Sequence, residues 1–345
     1  MVRIQSVYHL LFNFKRINIM SINKPLLGSI FTVKTANDTI ESAKNQKDPL
    51  KLWDEFWYEG EVCCLFADTN VGKSILAVQI GNHIANMLQD NETVAYYDFE
   101  LSEKQFGLRY TDEKTKKTFN FSDKFIRIIL NTDDLKEYCQ EHNETLDDVI
   151  MQGIESNIQE LHTKVVIVDN ISWLTNMKST GNTAANLMVK LTNLKRKYNL
   201  SILVLAHTPK RNLGKPITVN NLSGSKTFSN FFDSMFAVGK AICDPNLRYL
   251  KQIKVRIGSF TYDTNHVKTC CLDKTNSFLG FKPIGFSDEK NLLSDKGEFN
   301  SDNANKKISK KKIVKRKLGR ENIKIINKLV ASEFDSINNC KFKTF

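Results

Sequence analysis

One short segment constrains the fold of this chain more than any other: at residues 67–74 an apolar run passes through Gly-Lys-Ser into a helical pattern. Residues 62–67 are apolar and predict a buried strand, and residues 73–88 carry the apolar spacing of a helix. A turn from strand to helix presents backbone N–H groups and the positive end of the helix dipole at one point. We therefore expect an α/β fold with an anion-binding site where this strand ends.

The same segment matches the phosphate-binding sequence G-x-x-x-x-G-K-[ST], except that Ala67 replaces its first glycine. In such a loop Lys73 reaches the β- and γ-phosphates, the Ser74 hydroxyl binds Mg²⁺, and Gly72 lets the backbone approach closely. The extra methyl of Ala67 narrows the turn, so a chance match or a site without turnover is the alternative. The predicted cofactors are ATP and Mg²⁺, bound by Ala67, Asp68, Thr69, Asn70, Val71, Gly72, Lys73 and Ser74.

Strand and helix patterns alternate beyond this segment. Apolar or β-branched runs predict strands at 94–99, 125–130, 165–168, 202–206 and 235–238, with helices at 147–162 and 183–198 between them. This alternation predicts βαβ units, and hence an α/β core with a twisted, mostly parallel sheet flanked by helices. Residues 249–256 alternate like a half-exposed strand, which we expect at an antiparallel edge.

Two carboxylates are placed to complete a nucleotide site. Asp169 follows the β-branched strand 165–168, and we expect it to hold Mg²⁺ through water beside the phosphate loop. The next residue is Asn170, so the residue that activates the attacking water comes from elsewhere. Glu100, at the end of strand 94–99, is the candidate. Asp98 lies on the same side by period 2, and spacing alone does not choose between them; capping of the following helix is the alternative role for either.

The chain resembles the RecA-like superfamily through its phosphate loop, the Glu after the second strand and the apolar strand that ends in Asp169. Within it, the sequence YDFELSEKQF at 97–106, followed by Arg109, resembles hexameric replicative helicases of the DnaB type, which implies that Glu100 is the catalytic base. The sequence LAHTPK at 205–210 is similar to plasmid RepA-type helicases, which implies that His207 senses the γ-phosphate. Residues 254–258 resemble the strand that carries a basic finger into a neighbouring subunit's ATP site, a role that falls to Lys254 and Arg256.

Each residue carried over from the resemblance has a simpler alternative. His207 can be an ordinary strand-end histidine, and Lys254 and Arg256 can be a solvated strand face. The finger requires a second subunit, because the basic group acts on a neighbour's nucleotide. The resemblance therefore implies a homo-oligomer, which is a hexamer in the helicases.

Nucleic acid is the partner predicted from charge. The chain carries a net charge of +12, of which nine positive charges lie between Lys306 and Arg320, a segment without Asp or Glu. Lys210, Arg211 and Lys215 form a second basic segment, a loop beside the predicted sensor strand. Lys and Arg neutralise phosphates, so we expect both segments to contact DNA, preferentially single-stranded. A solubilising tail is the alternative for residues 306–320.

The sequence also suggests how the chain is divided. We expect an N-terminal arm at 1–50, an ATPase domain at 51–284, a polar and then basic linker at 285–320, and a short helical segment at 321–345. Met20 is an alternative start, in which case residues 1–19 are not translated. Seven cysteines, an odd number, indicate reduced thiols and a cytoplasmic location. The sequence contains no apolar stretch of the roughly 20 residues that span a bilayer, so no membrane partner is expected.

These inferences combine into one functional expectation. The chain is expected to bind and hydrolyse ATP as an oligomeric, DNA-associated motor of the helicase type, in replication or mobilisation of a plasmid or mobile element. Two alternatives stay open: a recombinase-like or regulatory ATPase on DNA, and a nucleotide-gated nucleic-acid-binding module with little turnover.

Overall fold

The computed structural model describes residues 32–171, 183–222 and 226–294. These residues belong to two units, 32–49 and 50–294. The first unit contains helix α1 (Ala36–Lys44), whose N-terminus is capped by the Thr35 side chain accepting from the Asp38 N–H at 3.1 Å. The alternative start at Met20, the basic tail between Lys306 and Arg320 and the segment 321–345 lie outside the described residues.

The second unit is built on a nine-stranded sheet, with a small hairpin beside it in the chain. The hairpin strands are β1 (Lys51–Trp53) and β2 (Trp57–Tyr58). The sheet strands are β3 (Val62–Ala67), β4 (Thr93–Asp98), β5 (Phe125–Ile129), β6 (Thr163–Asp169), β7 (Ser201–His207), β8 (Ser234–Lys240), β9 (Leu247–Lys254), β10 (Val267–Thr275) and β11 (Phe278–Ser287).

Helices connect and cover these strands. They are α2 (Lys73–Ala85), α3 (Glu103–Arg109), α4 (Thr132–His142), α5 (Leu146–Glu160), α6 (Thr183–Tyr198), α7 (Lys226–Ser229) and α8 (Glu289–Leu292), with a 3₁₀ turn at Val219–Asn221. Within the described part of the chain, no helix combines the length and apolarity needed to cross a bilayer.

The strand order is β11-β10-β9-β8-β3-β7-β6-β4-β5. The six strands from β8 to β5 pair in parallel, and β9, β10 and β11 extend the sheet antiparallel beyond β8. The predicted α/β fold with a mostly parallel sheet is confirmed, and antiparallel strands do lie at one side of the sheet. The strand expected to be half-exposed, β9, is instead mostly buried, because β10 and β11 extend the sheet beyond it. Because parallel strands end at the same edge, Ala67 pairs with His207 and Asp98 with Asp169 in the ladders.

The strands bury both faces, as expected for parallel strands with crossover helices. One face packs on α2, with Leu76, Ile80 and Tyr96 fully buried. The opposite face packs on α5 and α6 through residues such as Ile154 and Leu191. Helix α2, which begins where the phosphate loop ends, therefore lies on a close-packed layer.

The folded body continues beyond the boundary expected at residue 284. Strand β11 runs to Ser287, and α8 follows it. The Glu289 carboxylate is fully buried and accepts hydrogen bonds from the Ile217 N–H at 2.8 Å and the Tyr249 hydroxyl at 3.0 Å, and it pairs with Lys251. Residues 285–293 read as polar from the sequence because they include three charged residues, of which Glu289 is buried inside the protein.

We expect Gly239→Ala to destabilise the protein by about 2 kcal/mol, because the added methyl would overpack the sheet. A Cβ at Gly239 would lie 2.1 Å from the ring of its ladder partner Tyr249. In contrast, Gly153→Ala in helix α5 meets no atom within 4 Å and should stabilise by up to about 1 kcal/mol through helix propensity. Urea denaturation midpoints of both variants measure these effects. Equal midpoints for the two variants would contradict this packing.

Candidate active site

The loop between β3 and α2 has the backbone shape that an anion site requires. Gly72 is the N-cap of α2 and has a φ of 113°, in the left-handed region that favours glycine. A Cβ at this position would also lie 3.0 Å from the Phe281 ring. No side chain among the described residues caps this helix. Its first N–H groups are therefore available to phosphate oxygens.

Lys73 is a buried cation beside the end of β7. Its side chain is enclosed, with 7% of the residue exposed, and its Nζ lies 3.0 Å from His207 Nδ1. Burial lowers the pKa of Lys73, while the nearby carboxylates of Asp169 and Glu100 oppose this shift. An ammonium group desolvated to this degree gains strongly from an incoming phosphate. Lys73 thus lies where a triphosphate is expected to replace the imidazole as its partner.

Asp169 occupies the position expected for a magnesium carboxylate. It is buried, and its Oδ2 accepts a hydrogen bond from the Tyr96 hydroxyl at 2.6 Å. Burial raises the pKa of Asp169 to about 6, and the hydroxyls of Tyr96 and Ser74 only partly oppose this rise. Its Oδ1 has no hydrogen-bond partner in the described part of the chain. A buried carboxylate oxygen without a partner, close to a serine hydroxyl, fits a hydrated Mg²⁺ with few protein ligands.

The structure distinguishes the roles of Asp98 and Glu100, between which the sequence spacing could not choose. Asp98 Oδ1 accepts from the backbone N–H groups of Glu100 and Leu101 at 3.1 and 2.9 Å, and its Oδ2 pairs with Arg127 at 2.8 Å. Asp98 therefore shapes the turn after β4. Glu100 is left facing the site, with 38% of its side chain exposed. This geometry favours Glu100 as the residue that orients water.

Three polar side chains from three strand ends meet beside the Lys73 ammonium. Asn170 Nδ2 donates to Glu100 Oε1, and His207 Nε2 lies 3.4 Å from the same oxygen. The Asn170 amide nitrogen is also 2.9 Å from His207 Nε2. The hydrogen bond from His207 is the largest cause that lowers the pKa of Glu100, so this carboxylate is ionised at neutral pH. A continuous polar path thus runs from Lys73 through His207 to Glu100.

The phosphate loop is tied to the segment after β7. Asp68 accepts a hydrogen bond from the Thr208 hydroxyl and forms an ion pair with Arg211, whose Nη2 lies 2.9 Å from Asp68 Oδ2. Only 5% of the Arg211 side chain is exposed. This corrects the prediction that Arg211 contacts DNA, because its guanidinium is used inside the protein. Lys210 and Lys215 of the same loop are exposed.

The two residues expected to form a basic finger also differ from each other. The Lys254 ammonium donates to the carbonyl oxygens of Ser229 and Phe232 at 3.2 and 2.7 Å, and burial lowers its pKa. This corrects the prediction that Lys254 acts on a neighbouring subunit, because its ammonium binds backbone carbonyls of its own chain. Arg256 pairs with Asp233 at 2.6 Å, yet 65% of its side chain is exposed. Only Arg256 of this pair is available to a neighbour.

Arg256 lies at the sheet edge opposite its own phosphate loop. Its partner Asp233 accepts from the Val62 N–H at 2.9 Å, where β3 begins, whereas the phosphate loop follows the other end of β3. Six residues of strand separate the two ends by roughly 20 Å. Arg256 therefore cannot serve the site of its own subunit.

Sequence reasoning missed several residues that hold the site. They are Tyr96, which binds Asp169; the Asp68–Arg211 ion pair; and Arg248, whose Nε donates to the Val71 carbonyl at 3.2 Å. The local signal for Tyr96 was the pair of adjacent tyrosines in β4, and the sequence alone does not tell which of Tyr96 and Tyr97 faces the site. Nothing local marks Arg248, because its partner is 177 residues away in the chain.

A family comparison agrees with this geometry. Residues 32–212, more than half of the chain, match the family described as AAA domain. The chain belongs to this family of P-loop ATPases. Among solved structures, it is similar to a KaiC-like protein from the hyperthermophilic archaeon Pyrococcus horikoshii OT3, with 11% identity, a TM-score of 0.44, and coverage of 66% of this chain and 91% of that one. No curated protein matches it. The helicase branch inferred from short motifs stays a prediction.

We expect Asp169→Asn to stabilise the magnesium-free protein at pH 8. The pKa of Asp169 is higher in the folded than in the unfolded chain, so the folded state loses stability as the pH rises from about 4 to about 6, and the loss persists above that range. The penalty is on the order of 3 kcal/mol, which corresponds to several degrees in Tm.

Thermal melts at pH 4 to 8 measure this effect, with the exposed Asp123→Asn as the matched control. The gain of Asp169→Asn should shrink as the pH falls below 6, and the control should show no such trend. A variant less stable than wild type at pH 8 would contradict the conclusion that burial destabilises the ionised Asp169 carboxylate.

Proposed function

We propose that this P-loop ATPase hydrolyses ATP with Mg²⁺ and couples hydrolysis to DNA as an oligomeric motor of the helicase type. The observation that carries the proposal is the polar path from Lys73 through His207 to Glu100. It links a residue that binds phosphate, a residue at a strand end, and a carboxylate that faces the site. Through such a path, binding or loss of the γ-phosphate would change the contacts of His207 and thereby the position of the loop that follows it.

The residues suggest a division of roles in hydrolysis. The N–H groups at the start of α2 and the Lys73 ammonium bind the phosphates, and Lys73 exchanges His207 for the γ-phosphate. Ser74 and Asp169 are the residues that would hold Mg²⁺, which would supply positive charge to offset the charge of the phosphates. Glu100, freed from His207 by that exchange, orients the attacking water. His207 then reports whether the γ-phosphate is present.

The loop 208–218 supports coupling to DNA. It begins one residue after His207 and exposes Lys210 and Lys215. Thr208 and Arg211 bind Asp68 of the phosphate loop, so this segment contacts the nucleotide-binding loop directly. The nine positive charges between Lys306 and Arg320 supply further non-specific affinity for phosphates. Together with the RepA-type motifs, these features favour single-stranded DNA and a role in plasmid or mobile-element replication.

A nucleotide-gated binding module is the second candidate, and one contact favours it. The Asn170 amide donates to the same Glu100 oxygen that His207 approaches, so the proposed base is held by two residues of its own chain. If these contacts persist with ATP bound, water activation is weak and turnover is slow. A recombinase-like or regulatory ATPase on DNA shares the proposed chemistry and differs only in whether duplex is unwound.

Glu100→Gln should lower ATP turnover by about 100-fold or more while nucleotide binding is retained, because the variant keeps the shape but loses the base. Lys73→Ala should lose binding as well. Glu103→Gln, an exposed carboxylate three residues on, is the matched control and should behave as wild type. Phosphate release with and without single-stranded DNA measures the effect.

The outcome distinguishes the candidates. Stimulation by single-stranded DNA that disappears in Glu100→Gln supports the motor, and unwinding of a forked duplex then separates a helicase from a recombinase-like ATPase. Tight ATP binding by the wild type without measurable turnover would exclude hydrolysis and favour the gated module.

Arg256→Ala should reduce turnover by about 1,000-fold if this residue acts as a trans finger. Mixing Arg256→Ala with Glu100→Gln subunits should restore part of the activity, because a mixed interface joins an intact Glu100 to an intact Arg256. The exposed Arg196→Ala is the control and should retain full activity. Turnover of mixtures at fixed total protein measures the rescue; no rescue at any ratio would argue against a shared site.

A further inference from the structure

Tyr96 is placed at the base of the nucleotide site although it is part of the apolar core. It lies on β4, opposite Ile167 of β6 and two residues before the strand end. It is among the largest fully buried side chains in the described part of the chain. Its hydroxyl donates to Asp169 Oδ2 at 2.6 Å, a short distance for a hydrogen bond to a carboxylate.

The surrounding core fixes the direction of this hydroxyl. The Tyr96 ring packs on Phe125 with 5.7 Å between ring centroids. Phe125 in turn lies against α2, where a Cβ at Gly81 would come within 2.4 Å of its ring. Such close packing leaves the Tyr96 ring no room to swing away. The donor is therefore held in place before any ligand binds.

The two oxygens of Asp169 are made unequal by this contact. Oδ2 is occupied by Tyr96, whereas Oδ1 is buried without a hydrogen-bond partner among the residues described. With one oxygen fixed, the carboxylate cannot rotate to offer both oxygens to a cation. Oδ1 is thus the oxygen that could accept a hydrogen bond from a water molecule bound to a divalent cation beside Ser74.

We infer that Tyr96 is a positioning residue that orients the Asp169 carboxylate for a hydrated Mg²⁺. This inference rests on the proposed ATP and magnesium site and names a residue that sets its metal affinity. Tyr96 touches neither nucleotide nor metal; it acts through Asp169. Partners that orient metal-binding groups typically change metal affinity 10- to 100-fold when removed.

The test compares two tyrosines on the same strand. Tyr96→Phe removes only the hydroxyl that holds Asp169. Tyr97→Phe removes the neighbouring hydroxyl, which points to the opposite face and accepts from Asn157 at 3.4 Å. For each full-length variant, binding of a fluorescent ATP analogue is titrated with Mg²⁺ and is also measured in EDTA.

We expect Tyr96→Phe to raise the Mg²⁺ concentration at half-saturation roughly tenfold or more, with unchanged nucleotide affinity in EDTA. Tyr97→Phe should match wild type in both measurements. In an Asp169→Asn background, Tyr96→Phe should have no further effect on the Mg²⁺ titration. Placing 4-aminophenylalanine at position 96 keeps a donor in the same place and should recover most of the Mg²⁺ affinity.

Equal Mg²⁺ titrations for Tyr96→Phe and wild type would overturn the inference. So would a loss of nucleotide affinity in EDTA as large as the loss with Mg²⁺, since that marks a packing role. If Tyr96→Phe does not fold, 4-fluorophenylalanine at position 96 replaces it, because fluorine fills the space of the hydroxyl but cannot donate: a tenfold loss of Mg²⁺ affinity supports the inference, and wild-type Mg²⁺ affinity overturns it. A wild type without Mg²⁺-dependent ATP binding would instead refute the proposed function, a failure visible before any variant is made.

Discussion

The site depends on a buried cation whose hydrogen-bond partner is an imidazole rather than an anion. Lys73 is fixed at the first turn of α2, is desolvated, and contacts the Nδ1 atom of His207 at 3.0 Å. Nearby carboxylates offset part of the desolvation without neutralising it. Because this lysine is desolvated without an anionic partner, binding of a phosphate beside it lowers the free energy of the protein. The parallel strands serve this arrangement, because they bring β3, β4, β6 and β7 to one edge.

Some basic side chains outside the phosphate loop form contacts within the chain, whereas others are exposed to solvent. Arg211 forms an ion pair with Asp68, and Lys254 donates hydrogen bonds to two backbone carbonyls. Arg256 and Lys210 remain accessible. Counting basic residues in a motif therefore overstates the surface available to DNA. What matters is which of them a neighbouring acid or carbonyl has already bound.

The site residues that could be predicted from the sequence are those whose position is set by neighbouring residues in the chain. The phosphate loop and Asp169 follow strands of strong apolar pattern, so both could be placed before the fold was known. The choice of Glu100 over Asp98 required the structure, because Arg127 and two backbone N–H groups decide it. Tyr96 and Arg248 contact partners 73 and 177 residues away, and such contacts leave no periodic signal. The hairpin of β10 and β11 was missed for the same reason: its apolar residues cover α2 from the far end of the chain.

The most direct test of this account is calorimetric titration of the full chain with a non-hydrolysable ATP analogue, in Mg²⁺ and in EDTA. The arrangement of Lys73, Ser74 and Asp169 predicts saturable binding that is clearly tighter with Mg²⁺. Absence of binding heat, or identical affinity in both buffers, would contradict the assignment of this sheet edge as an ATP and magnesium site.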